Sequence, residues 1–170
     1  MDKHIFITNG VGGCGKDTFA QFVDEFIPTL KHSAIDKVKS IAKQCGWDGG
    51  KTEKDRKFLS DLKLLTTEYS DMPFEDLKKI VSIFLYNTPY PVLLIDIREP
   101  EEIERAKKEF GAKTILIRNN RVAPITSNMA DANVENYNYD FIIENNGTLD
   151  EFRETVKSFV EENIYNRKED

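Results

Sequence analysis

Short apolar runs separated by longer polar stretches predict β-strands along the whole chain. The clearest run, at residues 92–95, is uninterrupted and closed by Asp96. Such a run is expected of a parallel strand that is buried on both faces. By the same criteria we predict strands at residues 4–8, 31–35, 91–97, 113–118 and 141–144.

Apolar residues at three- and four-residue spacing predict amphipathic helices between these strands. In the first of them Phe19, Phe22 and Val23 share one face, and Asp24 points away from it. Proline near a first turn and glycine after a last turn mark helix boundaries elsewhere, as at Gly111. We predict helices at residues 16–26, 36–44, 52–69, 73–86, 99–110 and 148–164, with a loop at 46–51.

Strands that alternate with helices indicate an α/β fold. The expected architecture has three layers, α/β/α, in which helices cover both faces of a parallel sheet and the crossovers are right-handed. A chain of 170 residues with 39% hydrophobic residues can bury one sizeable core. We therefore expect a single domain.

Charge and cysteine content narrow the classes of partner. The chain has 30 acidic and 24 basic residues, so it carries no general attraction for nucleic acid or for anionic membranes. Its two cysteines make no disulfide scaffold, and it has neither a signal-peptide pattern nor eighteen consecutive apolar residues. These features predict a cytoplasmic protein that binds neither nucleic acid nor membrane.

The glycine-rich segment between the first strand and the first helix matches the pattern GxxxxGK. In such a turn, backbone N–H groups and the start of the helix surround a phosphate group. The ammonium group of Lys16 then neutralises charge on the β- and γ-phosphates of ATP. The nucleotide-binding residues predicted here are Gly10, Gly12, Gly13, Cys14, Gly15, Lys16, Asp17 and Thr18.

One position in this segment departs from the usual pattern. Asp17 follows Lys16, where a serine or threonine normally ligates magnesium, and Thr18 comes next. Three alternatives are open: Asp17 contacts the metal or its water shell, Thr18 does so in a shifted register, or phosphates and waters hold the metal. We interpret Cys14 as a spacer, because no histidine partner for a catalytic thiol is evident.

Asp96 ends the predicted central strand, at the edge of a parallel sheet that faces ligands. There it is a candidate to orient a magnesium-bound water or to take a proton from a hydroxyl acceptor; the alternative is a helix-capping aspartate. Arg98 follows two residues later, and its planar guanidinium suits an anionic acceptor. The alternative for Arg98 is a pair with Glu101 or Glu102.

Three segments resemble a known family of kinases. They are GKDT at residues 15–18, Asp96-Ile97-Arg98, and the strand and turn at 140–149. Together they resemble P-loop nucleoside monophosphate kinases, especially phage-type deoxynucleoside monophosphate kinases and dephospho-coenzyme A kinases. The resemblance implies a P-loop NTPase fold, with the segment at 140–149, including Asn146, beside the adenine.

The same resemblance implies a lid and an acceptor site. Residues 119–137 correspond to the lid that closes over ATP and excludes water, with Arg118 or Arg121 reaching the transferring phosphate. Residues 28–90 correspond to the acceptor-binding region, where Asp36 and Arg56 are candidate contacts. For Arg56 a solvated surface charge is the alternative.

We therefore expect an enzyme that uses ATP and Mg²⁺ to phosphorylate a small molecule, most specifically a (deoxy)nucleoside monophosphate. One alternative is a kinase for a hydroxyl acceptor such as dephospho-coenzyme A, with Asp36 or Asp96 as base. An alternative from another class is a nucleotide-dependent switch, although the sequence has no NKxD-type motif. The acceptor, the donor preference and the oligomeric state, monomer or homodimer, stay open.

Overall fold

The computed structural model describes residues 2–122 and 134–166, and within them the chain forms five β-strands and six α-helices. The strands are β1 (His4–Asn9), β2 (Thr29–Ser33), β3 (Val92–Asp96), β4 (Lys113–Arg118) and β5 (Phe141–Glu144). The helices are α1 (Lys16–Phe26), α2 (Asp36–Gln44), α3 (Glu53–Ser70), α4 (Met72–Asn87), α5 (Pro100–Phe110) and α6 (Leu149–Val160).

The strands form one sheet in the order β2-β3-β1-β4-β5. The pairs β1–β3, β1–β4 and β4–β5 are parallel. Thr8 lies opposite Asp96, and Arg118 lies opposite Glu144, so the carboxyl ends of these strands meet at one edge. The predicted α/β fold with a parallel sheet is confirmed.

The core lies on both faces of this sheet, because successive strand residues point to opposite sides. On one face, aromatic side chains of α1 and α6 pack against β1, and the rings of Phe6 and Phe159 are 5.5 Å apart. On the other face, Ile7 and Ile95 are completely buried, and α5 packs against β1 and β4. Burial on both faces explains why the sequence of β3 is continuously apolar.

The chain divides into two compact units. The first comprises residues 1–31 and 89–170, and it contains the sheet core described above. The second comprises residues 32–88, in which α2, α3 and α4 pack on one another. Val38, Leu77 and Phe84 of these helices are buried. The predicted acceptor-binding region, residues 28–90, spans this second unit, and its role stays a prediction.

Two elements have boundaries that differ from those predicted by more than one residue. The second strand was expected at 31–35 but spans Thr29–Ser33, because the backbone N–H of Ser33 donates to the Asp36 carboxylate (2.8 Å) and the chain turns into α2. The last helix was expected to continue to residue 164. Instead α6 ends at Val160 and a π-helical turn follows at Glu161–Tyr165, in which Ile164 is buried.

Among residues 2–122 and 134–166, no helix is both long and apolar enough to cross a bilayer.

Candidate functional site

The glycine-rich loop between β1 and α1 runs close against its neighbours. Gly10, Gly13 and Gly15 all have positive φ angles, of 150°, 84° and 106°. A Cβ atom at Gly10 would lie 2.5 Å from both the Cys14 Sγ and the Ile117 carbonyl oxygen. Only glycine fits here, which brings the loop backbone directly onto the end of β4.

Asn145, which directly follows β5, holds the other end of the loop. Its side-chain Nδ2 donates to the Cys14 carbonyl oxygen (2.9 Å), and its backbone N–H donates to the Arg118 carbonyl oxygen (2.7 Å). Gly15 precedes α1 in a left-handed conformation, and a Cβ there would lie 2.5 Å from the Asn145 Nδ2. The start of α1 is therefore positioned by β5 as well as by β1.

Asn9 anchors the loop from the end of β1. Its Oδ1 accepts from the Gly10 backbone N–H (2.8 Å), and its Nδ2 donates to the Arg98 carbonyl oxygen (3.1 Å) and to the Tyr139 hydroxyl (2.8 Å). The Tyr139 hydroxyl in turn donates to the Val134 carbonyl oxygen (2.8 Å). Burial raises the pKa of Tyr139 to about 12, so the hydroxyl keeps its proton.

Within this loop, Lys16 and Cys14 have different environments. The Lys16 ammonium donates to the carbonyl oxygens of Gly10 and Val11 and so lies along the rim of the loop. Cys14 is completely buried, and burial raises the pKa of its thiol. A buried, protonated thiol is a poor nucleophile, which agrees with the interpretation of Cys14 as a spacer.

Asp96, at the end of β3, is bound by two donors. The Thr8 hydroxyl donates to its Oδ1 (2.5 Å), and the Lys31 ammonium lies 3.4 Å from its Oδ2. Lys31 also forms an ion pair with Asp17, at the start of α1. Burial by itself would lower the pKa of Lys31. The hydrogen bond to Asp17 and the negative charges of both aspartates have a larger, opposite effect, so the net pKa is raised and Lys31 stays charged.

The acidic groups of this edge fit a magnesium ion that is brought by phosphates. Asp17, Thr18 and Asp96 offer oxygen atoms, which Mg²⁺ prefers. Residues 2–122 and 134–166 contain no cluster of three or more His, Cys, Asp or Glu side chains that could hold a metal by themselves. Mg²⁺ usually keeps several waters and binds through one or two carboxylates together with substrate phosphates, and the chemistry of this donor set is compatible with that mode of binding.

Two of the three arginines predicted to act in catalysis, Arg98 and Arg118, have distinct surroundings. Arg98 is exposed, and its carbonyl oxygen accepts from Asn9. The Arg118 guanidinium pairs with Glu135 (2.7 Å) and Glu144 (3.1 Å). Their predicted contacts with the acceptor and the transferring phosphate stay predictions.

Arg121 and Asn146 lie where the ends of β4 and β5 meet. The Arg121 Nη2 donates to the Asn145 carbonyl oxygen (3.3 Å). The Asn146 Oδ1 accepts from the Asn120 backbone N–H (2.8 Å), and its Nδ2 donates to Glu144 (2.8 Å). Asn146 therefore joins the loops after the two strands, and its place beside the adenine stays a prediction.

Two of the predicted acceptor contacts, Asp36 and Arg56, belong to the second unit. Asp36 begins α2, where its carboxylate accepts from the Ser33 N–H and lies within 4 Å of His32 and Lys39. Arg56 is exposed on α3. Both roles stay predictions.

Most of the predicted lid, residues 119–137, lies outside the described residues, which omit 123–133. Its last part is described and contains a short 3₁₀ helix at Val134–Asn136.

Sequence reasoning missed several residues that support this site. Thr8 and Asn9 immediately precede the glycine-rich loop, and Asn145 lies inside the segment with family resemblance, so their positions offered a signal. Lys31 and Tyr139 offered none, because their partners are distant in sequence.

Comparisons with known proteins support the fold. No protein-family model and no curated protein sequence matches the chain. Among solved structures, dephospho-CoA kinase from Campylobacter jejuni is 18% identical, with a TM-score of 0.53 over 94% of this chain and 97% of that chain. TT1252 from Thermus thermophilus is 16% identical, with a TM-score of 0.51 over 96% of this chain and 100% of that chain.

At sequence identities this low, the structural likeness establishes the fold of the chain and no more. The chain has the α/β fold of P-loop kinases, with its glycine-rich loop between the first strand and the first helix.

Proposed function

We propose that this protein is an ATP-dependent small-molecule kinase whose acceptor is a (deoxy)nucleoside monophosphate. One observation carries the proposal. The GxxxxGK loop connects β1 to α1 in a backbone conformation that requires glycine, and Asp96 ends the adjacent parallel strand β3. Phosphate binding by backbone donors, a lysine and a nearby carboxylate is the arrangement that phosphoryl transfer from ATP needs.

Different groups of the loop would bind the phosphates and the magnesium ion. Backbone N–H groups and the start of α1 bind the phosphates, and the Lys16 ammonium exchanges its carbonyl contacts for the β- and γ-phosphate oxygens. Asp17, Thr18 and Asp96 would hold magnesium. When bound, Mg²⁺ neutralises charge on the phosphates as it shifts toward the leaving group.

The acceptor's own phosphate is the proposed nucleophile. One of its oxygens forms a bond to the γ-phosphorus while the bond from that phosphorus to the β–γ bridging oxygen breaks, and ADP leaves. An ionised phosphate oxygen carries no proton that must be removed, so the reaction needs no general base. Catalysis then rests on positioning and on neutralisation of charge.

The surroundings of the two candidate bases support a phosphate acceptor over a hydroxyl. Asp96 accepts a hydrogen bond from Thr8 and is paired with Lys31. Asp36 accepts from the Ser33 N–H and lies beside Lys39. Both carboxylates therefore already have donor partners, whereas a phosphate acceptor needs neither of them as a base.

The remaining candidates complete the proposed site. Arg98 and Arg56 bind the anionic acceptor, and Arg118 and Arg121 reach the transferring phosphate when the lid, residues 119–137, closes. Asn146 lies beside the adenine.

A hydroxyl acceptor is the second candidate, and the structural likeness to the dephospho-CoA kinase from Campylobacter jejuni favours it. In that case Asp96 or Asp36 removes the hydroxyl proton.

A coupled ADP-release assay tests the proposal. The purified protein is mixed with ATP, Mg²⁺ and, one at a time, ribo- and deoxynucleoside monophosphates, dephospho-coenzyme A and simple sugars. We expect one or a few nucleoside monophosphates to stimulate ADP release above the rate without acceptor. Stimulation by dephospho-coenzyme A alone would support the second candidate, and binding of ATP without stimulation by any acceptor would contradict both.

A further inference from the structure

Lys31 connects two acidic side chains that are far apart in sequence. It lies on β2, the strand next to β3 in the sheet, and its ammonium pairs with Asp17 at the start of α1 and with Asp96 at the end of β3. The Asp96 distance is 3.4 Å, and the Lys31 side chain is 34% exposed. One ammonium thus links the two carboxylates that the proposed function assigns to magnesium.

The charge balance explains why a cation is useful here. Asp17 occupies the position where loops of this pattern usually carry a neutral serine or threonine, so it adds a negative charge to the edge of the sheet. Lys31 offsets this charge. Without Lys31, Asp17 and Asp96 would form a doubly negative pair that attracts divalent cations even when no nucleotide is bound.

We propose that Lys31 is an internal counter-cation that holds Asp17 and Asp96 and excludes divalent metal from them until a nucleotide brings the metal. The ammonium and a divalent ion compete for the same carboxylate oxygens. Release of the carboxylates by Lys31 is then one step of nucleotide binding. The inference rests on the proposed function only in assigning these carboxylates to the metal.

Binding of Mn²⁺ alone tests this proposal. Mn²⁺ replaces Mg²⁺ as a probe because the loss of its free-ion electron paramagnetic resonance signal reports binding directly. The titration contains neither ATP nor acceptor, so its result is independent of whether the protein transfers a phosphoryl group. Wild type is compared with Lys31→Met, which keeps most of the length of the side chain and removes its charge.

We expect Lys31→Met to bind Mn²⁺ about tenfold more tightly than wild type, since two partly exposed ion pairs no longer compete with the metal. Lys31→Arg should resemble wild type because it keeps the charge. In the double variant Lys31→Met/Asp96→Asn the gain should disappear. Lys31→Gln repeats the test if Lys31→Met does not fold, as judged by circular dichroism.

Lys107→Met is the matched control. Lys107 also pairs with an aspartate, Asp140 (2.9 Å), and its side chain is 35% exposed. Removing this lysine changes the net charge equally but leaves Asp17 and Asp96 untouched, so Mn²⁺ affinity should stay within about twofold of wild type. Unchanged affinity in Lys31→Met, an equal gain in Lys107→Met, or a gain that survives in the double variant would each overturn the proposal.

Discussion

Asn9 illustrates how a single buried side chain positions the candidate site. Its amide is fully buried and contacts the loop at Gly10, the residue Arg98 after β3, and Tyr139 near the start of β5. The contacts satisfy both polar atoms of the buried Asn9 amide and the buried N–H of Gly10. Asn9 therefore acts as a positioning residue, because it holds the groups that are proposed to touch substrate.

Replacement of Asn9 by alanine should destabilise the protein. The change leaves the buried Gly10 N–H without its partner, which costs about 1–3 kcal/mol, and it also removes the hydrogen bond to the Arg98 carbonyl. Urea denaturation followed by circular dichroism measures the effect. The control is Asn138→Ala at an exposed position, which should change the free energy of unfolding by less than about 0.5 kcal/mol. Equal midpoints for the two variants would show that the Asn9 contacts contribute nothing.

Local patterns identified Lys16 and Asp96 as candidates, because a glycine-rich turn and an apolar strand are visible over a few neighbouring residues. Two of the three partners of Asn9 lie 89 and 130 positions away in sequence, and no local pattern contains them. Lys31 was missed for the same reason. Its contact with Asp96 follows from the strand order β2-β3-β1, which periodicity does not define.

At the level of elements, periodicity located all five strands and six helices of the described residues. The larger errors in the predicted bounds lie where a specific hydrogen bond or packing contact determines where a strand or helix ends. The carboxylate of Asp36 ends β2 earlier than its apolar residues suggest, and burial of Ile164 favours a wider helical turn. Neither effect can be recognised from the spacing of apolar residues along the sequence.

The start of α1 provides a test at this scale. Gly15→Ala introduces both an unfavourable φ angle of 106° and a Cβ that lies 2.5 Å from the Asn145 side chain. We expect a loss of about 2–4 kcal/mol in the free energy of unfolding, together with weaker ATP binding. Urea denaturation and calorimetric titration with ATP measure the two effects.

Gly49→Ala is the control for backbone strain alone. Gly49 has a similar φ angle of 96°, and a Cβ there meets nothing within 4 Å. The Gly49→Ala substitution should lower the free energy of unfolding by about 1 kcal/mol, because of the φ angle alone, and leave ATP binding unchanged. If Gly15→Ala were no more destabilising than Gly49→Ala, the packing of Asn145 on the loop would be unimportant.

For the whole molecule, the candidate residues divide between the two compact units. The loop, Lys31, Asp96 and Asn146 belong to the unit of residues 1–31 and 89–170, whereas Asp36 and Arg56 belong to residues 32–88. Sequence reasoning described the first group more sharply, because phosphate binding depends on a short backbone motif. The predicted acceptor contacts Asp36 and Arg56 are single side chains on separate helices, and no comparable motif marks them.

Transfer of a radiolabelled γ-phosphoryl group from ATP to the acceptor found in the panel tests the central claim most directly. Wild type is compared with Lys16→Ala and with Lys54→Ala, which removes an exposed lysine on α3. The account predicts labelled product with wild type and Lys54→Ala, and a rate lower by about a hundredfold or more with folded Lys16→Ala. Undiminished transfer by Lys16→Ala would contradict it.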